Sequence, residues 1–316
     1  MGEFELIRRY FVPLAQGAGS EGLLLGPGDD CALQRLSPGT DLVFSTDTLV
    51  EGVHFPSGYN PRQLGWRSLA VAASDLAAMG ARPVCFTLAL TLPVAAPEWV
   101  AGYAHGLGEA AQAFGLVLAG GDTTRGPLTL TLQVHGEVPA GEALRRSGAR
   151  PGDQVCVSGT LGAAAAALRW LAVAGPPADA AEVLARYHRP MPRLALGQAL
   201  RGLASAAIDV SDGLLADLTH ILDASGVGAR IDAAVVPVLP AVARLEGERA
   251  QSLALSGGDD YELCVTISPA RWQQLPAAVQ AHLTVIGEIT AETGLQLVNA
   301  DAHARTAGYD HFGEHG

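Results

Sequence analysis

Aspartates are the residues best suited to do chemistry in this sequence, because they recur in short clusters flanked by glycine, serine or threonine. Only 16 % of the residues are charged, yet ten of the seventeen aspartates fall in six such clusters. Carboxylate and hydroxyl oxygens together suit a hard cation such as Mg²⁺ rather than zinc. Because gathered carboxylates repel one another unless cations lie among them, the pattern predicts more than one metal ion. The six clusters are Gly28-Asp29-Asp30, Ser45-Thr46-Asp47, Ser74-Asp75, Gly120-Gly121-Asp122-Thr123, Asp209-Val210-Ser211-Asp212-Gly213 with Asp217, and Gly257-Gly258-Asp259-Asp260.

Each cluster alone is weak evidence, since Gly-Asp pairs are ordinary turn chemistry and an aspartate before a glycine can cap a helix. Two placements favour a chemical role. Asp75 lies in a helical pattern between Val71 and Met79, so we expect its carboxylate on the apolar face, where an unpaired charge is costly. Asp47 follows the apolar strand 42–44, and α/β proteins place their sites at strand ends.

The 316-residue chain contains no lysine, because all twenty of its Lys+Arg residues are arginine. This excludes the Walker phosphate loop, the strand lysine of protein kinases and Schiff-base enzymes. A carboxylate-held metal site would still suit ATP. Metal ions bridge phosphates, Gly120-Gly121 lets the backbone approach closely, and an arginine can bind phosphate oxygens. Arg145 and Arg146 are the candidates for that arginine, and a solvated loop is the alternative for both.

The composition also argues against several classes of protein. The net charge of −12 counts against non-specific nucleic-acid binding. No stretch reaches the roughly 18 apolar residues of a membrane span, and the charged N-terminus does not have the pattern of a signal peptide. Cys31, Cys85, Cys156 and Cys264 are widely spaced without a CxxC motif, which favours reduced thiols in a cytoplasmic protein.

Strand and helix patterns alternate along the chain, which predicts an α/β (α+β) fold with mixed sheets. Asn60 and Pro61 predict the start of a helix that runs to Met79, and a second helix is expected over Pro97–Phe114. The length favours two domains, and the turn-rich segment 148–153 indicates a boundary between 1–147 and 148–316. Further strands are expected over 41–46, 84–92, 128–134, 154–158, 206–210, 229–235, 261–267 and 284–289, and further helices over 162–174, 179–187, 192–203 and from 213 onward.

Nine ordered blocks of sequence resemble the thiamine-monophosphate kinase family of the aminoimidazole-ribotide-synthetase-like superfamily. The resemblance implies an N-terminal ATP- and Mg²⁺-binding domain whose mixed sheet forms the interface of a homodimer, followed by an α/β C-terminal domain. It implies ATP-dependent phosphorylation of thiamine monophosphate to thiamine diphosphate. The blocks are EFELIRRYF, GPGDDCA, STDTLVEGVHF, SDLAAMGARP, LAGGDTTRGPL, RRSGARPGD, IDVSDGLLADL, SGGDDYELC and GYDHF.

The resemblance also implies roles for individual residues. The implied ligands of several Mg²⁺ ions are Asp30, Ser45, Thr46, Asp47, Asp75, Asp122, Asp209 and Asp212, and the implied catalytic residues are Asp47, Asp75, Asp122 and Asp212. The implied ATP contacts are Gly121, Asp122, Arg146 and Ser211. The implied contacts to thiamine monophosphate are His54, Asp259 and Tyr309.

Some positions have alternatives. The family usually has glutamate at the position of Asp259. His54 is also compatible with a core histidine, and Tyr309 with C-terminal packing. Asp29, Asp217 and Asp260 receive no role from the resemblance, and helix capping or turn formation is adequate for each.

The implied acceptor, a phosphate monoester with a second pKa near ~6, is mostly dianionic at neutral pH, so no general base is required and direct transfer is expected.

The sequence also leaves three alternative functions open. They are another ATP-using enzyme of the superfamily, an acidic metal-storage protein and a metal-dependent hydrolase. Selenophosphate synthetase fits less well, because it uses a lysine and an N-terminal cysteine or selenocysteine, whereas the first thiol here is Cys31.

Overall fold

The computed structural model describes residues 2–15 and 22–300. The chain divides into two compact units, and the second begins a few residues before the predicted boundary and includes the end of a helix from the first. None of the helices in the described residues is long and apolar enough to cross a membrane. The first unit comprises Met1–Leu76 and Ala81–Ala143. The second unit comprises Ala77–Gly80 and Leu144–Gly316.

The first unit is built on a four-stranded mixed sheet with the order β3-β6-β4-β5. Strands β4 and β5 are parallel, and the other pairs are antiparallel. A two-stranded ribbon, β1-β2, precedes the sheet. The elements are α1 (Glu3–Leu6), a π-helical turn (Ile7–Phe11), a 3-10 turn (Val12–Ala15), β1 (Leu23–Leu25), β2 (Leu33–Gln34), β3 (Thr40–Val50), α2 (Pro61–Ala78), β4 (Arg82–Leu92), α3 (Pro97–Phe114), β5 (Val117–Arg125) and β6 (Thr129–Pro139).

The two long helices of this unit confirm the predictions made from their caps. The Asn60 side chain accepts the backbone N–H groups of residues 62 and 63 at the start of α2. Helix α3 begins with a proline and ends at Gly115, whose φ of 70° is left-handed. The helices pack closely at Gly65 and Gly106, because a Cβ on Gly106 would lie 1.8 Å from the Arg62 carbonyl oxygen.

The second unit contains a six-stranded mixed sheet with the order β12-β9-β11-β7-β10-β8, in which only β12 and β9 are parallel. Apolar side chains of the sheet and of α7 form its core. The two mixed sheets confirm the predicted fold class. The elements are β7 (Gln154–Ser158), α4 (Ala163–Ala167), a 3-10 turn (Leu168–Trp170), α5 (Ala178–His188), α6 (Leu194–Ala199), β8 (Ala206–Asp209), α7 (Leu214–Ser225), β9 (Gly228–Asp232), a 3-10 turn (Ala233–Val235), α8 (Pro240–Glu246), α9 (Arg249–Ser256), β10 (Leu263–Ile267), α10 (Pro269–Trp272), α11 (Ala277–Gln280), β11 (Leu283–Thr290) and β12 (Gly294–Val298).

Several element boundaries differ from the predictions. The alanine-rich helix expected over 162–174 is only the short α4 followed by a 3-10 turn, and the helix expected over 192–203 is the shorter α6. Strand β3 extends beyond 41–46 at both ends. Strand β5 was not predicted, because its Gly-Gly-Asp-Thr-Thr sequence is typical of a turn.

Candidate functional site

Ser45, Asp47 and Asp75 form a polar group between strand β3 and helix α2. Ser45 and Asp47 are two residues apart on β3, so their side chains lie on the same face of the sheet. The Ser45 hydroxyl donates a hydrogen bond to Asp75 Oδ2 on α2. Burial and the negative charge of Asp75 together raise the pKa of Asp47 from 3.8 to about 7. The two carboxylates are therefore close enough to disfavour simultaneous ionisation.

The positions of these residues differ from the sequence predictions. Asp47 lies inside β3 rather than at the end of a strand, because β3 continues to Val50. Asp75 does share one side of α2 with Val71 and Met79, but that side is half-exposed on an otherwise buried helix. The prediction that Asp75 shares a face with these two apolar residues therefore holds, but that face is not fully buried. Thr46 is exposed and lies on the opposite face of β3 from Asp47.

Asp30 and Asp122 line a cavity of about 920 Å³ in the first unit, separate from the Ser45–Asp47–Asp75 group. Asp29 and the exposed thiol of Cys31 line the same cavity. Asp122 belongs to β5, whereas Asp47 belongs to β3, and these strands form opposite edges of the sheet. With strands about 4.8 Å apart, the two backbone positions are separated by about 14 Å, so the first unit does not gather all of its aspartates at one point.

Gly121 permits the close pairing of β5 with β4 beside this cavity. Its φ is 156°, and a Cβ would lie 1.9 Å from the carbonyl oxygen of Leu88. A side chain at this position would force the two strands apart. The glycine is therefore required here by strand pairing, and the close approach of this backbone to ATP stays a prediction.

His54 lies in the turn that follows β3 and is half-buried. Its Nδ1 accepts the backbone N–H of Val50 at 3.0 Å, so the neutral ring carries its proton on Nε2. The adjacent Phe55 is buried, whereas Val53 is exposed. The turn therefore anchors one ring nitrogen of His54 to β3 and orients the ring.

In the second unit, three of the predicted site residues lie in or beside the loop between β8 and α7. Asp209 is the buried last residue of β8, and Ser211 and Asp212 follow it. Asp217, in the first turn of α7, accepts the backbone N–H groups of Ser211, Asp212 and Gly213 at 3.0, 3.0 and 3.1 Å, all on Oδ2. Burial, with the charge of Asp212, raises the pKa of Asp217 to about 6. Asp217 therefore fixes the loop conformation, a role that exceeds simple helix capping.

The loop before β10 packs against the β8–α7 loop. The N–H of Asp259 donates to the Ser211 carbonyl at 2.7 Å, and the N–H of Tyr261 donates to the Val210 carbonyl at 2.8 Å. Asp260 Oδ2 accepts the N–H of Gly162 at 2.7 Å. Burial is the main cause that raises the pKa of Asp260 to about 8.

The remaining predicted residues are placed less closely. Arg145 and Arg146 are exposed. The Ser225 hydroxyl holds their segment, because it donates a hydrogen bond to the Arg146 carbonyl and accepts one from the N–H of Gly148. Tyr309 lies outside the described residues.

Two residues of this region were not found by sequence reasoning. The Tyr261 hydroxyl donates a hydrogen bond to the Asp259 carboxylate. Glu262 is buried and accepts hydrogen bonds from Arg193 and Ser158. A charged residue between Tyr261 and Leu263 at the start of an apolar strand is a signal for such a buried, paired carboxylate.

The donor chemistry of the first unit fits Mg²⁺. The described residues contain no group of three or more His, Cys, Asp or Glu side chains that could enclose a metal ion. Mg²⁺ does not need such a cage, because it commonly binds through one or two carboxylates, waters and substrate phosphates. Asp47 and Asp75, with the Ser45 hydroxyl, form an oxygen-only set in which a cation would offset the repulsion between the carboxylates.

Comparison with known proteins identifies the family. Models of the N-terminal and C-terminal domains of AIR synthase related proteins match residues 28–138 and 150–298. The thiamine-monophosphate kinase of Escherichia coli (strain K12) is 47% identical over 98% of both chains. The chain belongs to the thiamine-monophosphate kinase family. The predicted resemblance and the two-domain aminoimidazole-ribotide-synthetase-like fold are thereby confirmed.

Solved structures of the thiamine-monophosphate kinase family agree with this fold. The crystal structure of thiamine-monophosphate kinase from Stenotrophomonas maltophilia K279a has a TM-score of 0.86 and 44% identity, covering 96% of this chain and 98% of the other. The structure of AaThiL complexed with AMPPCP and TMP has a TM-score of 0.79 and 28% identity, covering 98% and 97%. The similarity thus extends over both units.

Proposed function

We propose that the chain transfers the γ-phosphoryl group of ATP to thiamine monophosphate, forming thiamine diphosphate and ADP. The observation that carries the proposal is similarity over nearly the whole chain. The Escherichia coli thiamine-monophosphate kinase matches over 98% of its length, and AaThiL, complexed with AMPPCP and TMP, matches over 97% of its length. A cytoplasmic location is part of the proposal, since it supplies ATP and keeps the dispersed thiols reduced.

The metal part of the proposal is that carboxylates of each unit ligate Mg²⁺. The Ser45–Asp75 hydrogen bond and the raised pKa of Asp47 support a cation in the first unit. Bound Mg²⁺ would neutralise the anionic phosphates of the two substrates. The proposed ligands are Asp30, Ser45, Thr46, Asp47, Asp75 and Asp122 in the first unit and Asp209 and Asp212 in the second, with Asp47, Asp75, Asp122 and Asp212 as the catalytic residues.

The remaining residues would bind and orient the substrates. Gly121, Asp122, Arg146 and Ser211 are the proposed ATP contacts. The exposed guanidinium of Arg146 suits bidentate binding of phosphate oxygens, which a lysine-free chain must achieve with arginine. The proposed contacts to thiamine monophosphate are His54, Asp259 and Tyr309.

The proposed mechanism is direct in-line transfer. The phosphate oxygen of thiamine monophosphate is already a nucleophile at neutral pH, so the chain needs to position the two substrates rather than remove a proton. Positioning of this kind contributes about 7–11 kcal/mol in favourable cases. Radiolabelled phosphate trapped on the protein in the absence of acceptor would contradict the mechanism.

A homodimer is also part of the proposal. Phe44 is 60 % exposed and Leu42 39 %, and both lie on the face of β3 opposite the Ser45–Asp47 face. Large apolar side chains exposed on a sheet favour burial against another surface. A second copy of the first unit would cover this face.

The test is an end-point assay of the full chain with ATP, Mg²⁺ and either thiamine or thiamine monophosphate. We expect thiamine diphosphate and ADP from the monophosphate only. An Asp47→Asn preparation made in parallel controls for contaminating kinases. Release of inorganic phosphate without diphosphate would support a hydrolase instead, and product from thiamine would contradict the proposed acceptor.

A further inference from the structure

We propose that Tyr261 is a positioning residue for substrate binding: its phenol hydroxyl holds the Asp259 carboxylate in the orientation that meets thiamine monophosphate. This inference rests on the proposed function, in which Asp259 contacts the substrate. Tyr261 acts through Asp259 and does not itself touch the substrate.

The contact between the two side chains is short and direct. The Tyr261 hydroxyl donates to Asp259 Oδ1 at 2.7 Å. The tyrosine is 5% exposed, so its ring is held by packing and its hydroxyl has a fixed position. A hydrogen bond from a hydroxyl to a carboxylate is charge-assisted and stronger than one between neutral groups. The bond engages Oδ1 of the carboxylate.

The backbone of both residues adopts a costly conformation that supports this contact. Asp259 has φ of 71° and Tyr261 has φ of 52°. Among the non-glycine residues that the structure describes, only Asn299 also has a positive φ. Such strain persists where the surroundings over-determine the backbone, and it concentrates at functional sites. Here the surroundings include the N–H donations to the Ser211 and Val210 carbonyls.

Asp260, between the two residues, is engaged elsewhere, because its Oδ2 accepts the N–H of Gly162 at 2.7 Å. Gly258 lies so close to the β8–α7 loop that a Cβ would be 2.5 Å from the Ser211 carbonyl oxygen. The loop therefore has little freedom to shift. Tyr261 in turn restricts the Asp259 side chain through its hydrogen bond to Oδ1.

The consequence is a specific kinetic signature. A side chain held in its binding orientation before the ligand arrives loses less entropy on binding. Loss of the hydroxyl should therefore weaken binding of thiamine monophosphate in the ground state and the transition state alike, which raises KM and leaves kcat unchanged. A purely structural role would instead lower thermal stability without changing KM.

The test compares Tyr261→Phe, which removes only the hydroxyl, with the unaltered full chain. We expect Kd and KM for thiamine monophosphate to rise about tenfold, with kcat and KM for ATP changed less than about twofold. Kd is measured calorimetrically with AMPPCP and Mg²⁺ present, so that it does not depend on turnover. Tyr103→Phe is the matched control, because it removes another buried hydroxyl, one that lies 3.2 Å from Ser68 Oγ in the first unit.

A double-mutant cycle tests whether Tyr261 acts through Asp259. Asp259→Gly removes the carboxylate and accepts the positive φ of the position. In that background, Tyr261→Phe should change Kd by less than about twofold. An unchanged Kd in Tyr261→Phe alone, or an equal loss in both backgrounds, would overturn the inference. If the unaltered chain does not bind thiamine monophosphate, the proposed function fails and the inference fails with it.

Discussion

At the residue scale, Asp47 is the position where geometry and charge most strongly favour a cation. Asp47→Asn removes one carboxylate of the pair, so we expect turnover to fall about a hundredfold or more. Because the pKa of the unaltered carboxyl is raised from 3.8 to about 7 in the folded chain, its contribution to stability is lost as pH rises through about 7 and is fully lost at pH 8. The variant should therefore melt at the same or a higher temperature at pH 8 without Mg²⁺.

Asp41→Asn is the matched control, because Asp41 is an exposed aspartate on the same strand and lies outside the proposed ligand set. It should retain turnover. Near-normal turnover of Asp47→Asn at saturating Mg²⁺ would contradict its role as a ligand.

Asp260 gives a prediction about pH and stability. Its folded-state pKa of about 8 lies above the ordinary value of 3.8, so the protonated carboxyl is favoured by folding. The stability it contributes is complete below about pH 4 and is lost as pH rises through about 8. Asp260→Asn keeps an oxygen that can accept the Gly162 N–H but cannot ionise. The melting temperature of the variant should therefore exceed that of the unaltered chain by a margin that grows over this interval to a few degrees.

The measurement is a series of thermal melts from pH 4 to pH 9. Asp223→Asn, at an exposed position of α7, should show no such growing margin. A constant difference between Asp260→Asn and the unaltered chain across the series would contradict the prediction.

At the element scale, the β8–α7 loop depends on one carboxylate. Asp217→Ala leaves three backbone N–H groups without their acceptor, so we expect a loss of about 2 kcal/mol or more of unfolding free energy. Since Ser211 and Asp212 lie in this loop, KM for ATP should also rise. Asp217→Asn, which keeps an acceptor oxygen, should show a smaller loss of unfolding free energy and a smaller rise in KM. Asp223→Ala on the same helix should change neither quantity. Equal behaviour of the two alanine variants would refute the role of Asp217.

The sequence predicted the elements whose ends carry local signals. Helix α2 has Asn60 and Pro61 at its start, and α3 has Pro97 and Gly115 at its ends, so both were located closely. The alanine-rich segment after Gly162 has no comparable stop signal before Gly175, and its helix was predicted too long. Strand β5 exists because it pairs with β4, a non-local contact that the turn-like residues around Gly121 conceal.

The candidate site was predictable to a similar degree. Residue types and spacing identified the aspartate clusters, and the resemblance assigned their roles. The face of the sheet on which each side chain lies, and its distance from the end of the strand, were not predictable, because they depend on strand length and register. Asp47 therefore proved to lie within β3, and Thr46 faces away from it. The position of Tyr261 depends on contacts between two loops that are distant in sequence. Asp217 bonds the loop just before its own helix, and that contact depends on the backbone geometry of the loop.

At the scale of the whole molecule, the exposed face of the first sheet predicts self-association. Phe44→Glu places a charge on that face, so we expect the protein to sediment as a monomer where the unaltered chain sediments as a dimer. Val94→Glu is the control, since Val94 is 70% exposed in the loop after β4. A dimer that tolerates Phe44→Glu would place the interface elsewhere.

Nucleotide binding gives the second prediction for the whole molecule. Because the chain has no lysine and the proposed ATP contacts lie among carboxylates, affinity for ATP should require Mg²⁺. Calorimetric titration of ATP should give no measurable binding in excess EDTA and should recover when Mg²⁺ is restored. An ATP affinity unchanged by EDTA would contradict the metal-dependent mode of binding.

The thiols of this chain have a practical consequence. Cys31 is exposed and lines the same cavity as Asp30 and Asp122, whereas Cys85, Cys156 and Cys264 are buried. Burial also raises the pKa of Cys85 to about 11 and that of Cys156 to about 12, which suppresses their thiolate forms. A maleimide dye should therefore label the native protein at Cys31 alone. The rate of labelling then reports occupancy of the cavity without any engineered substitution.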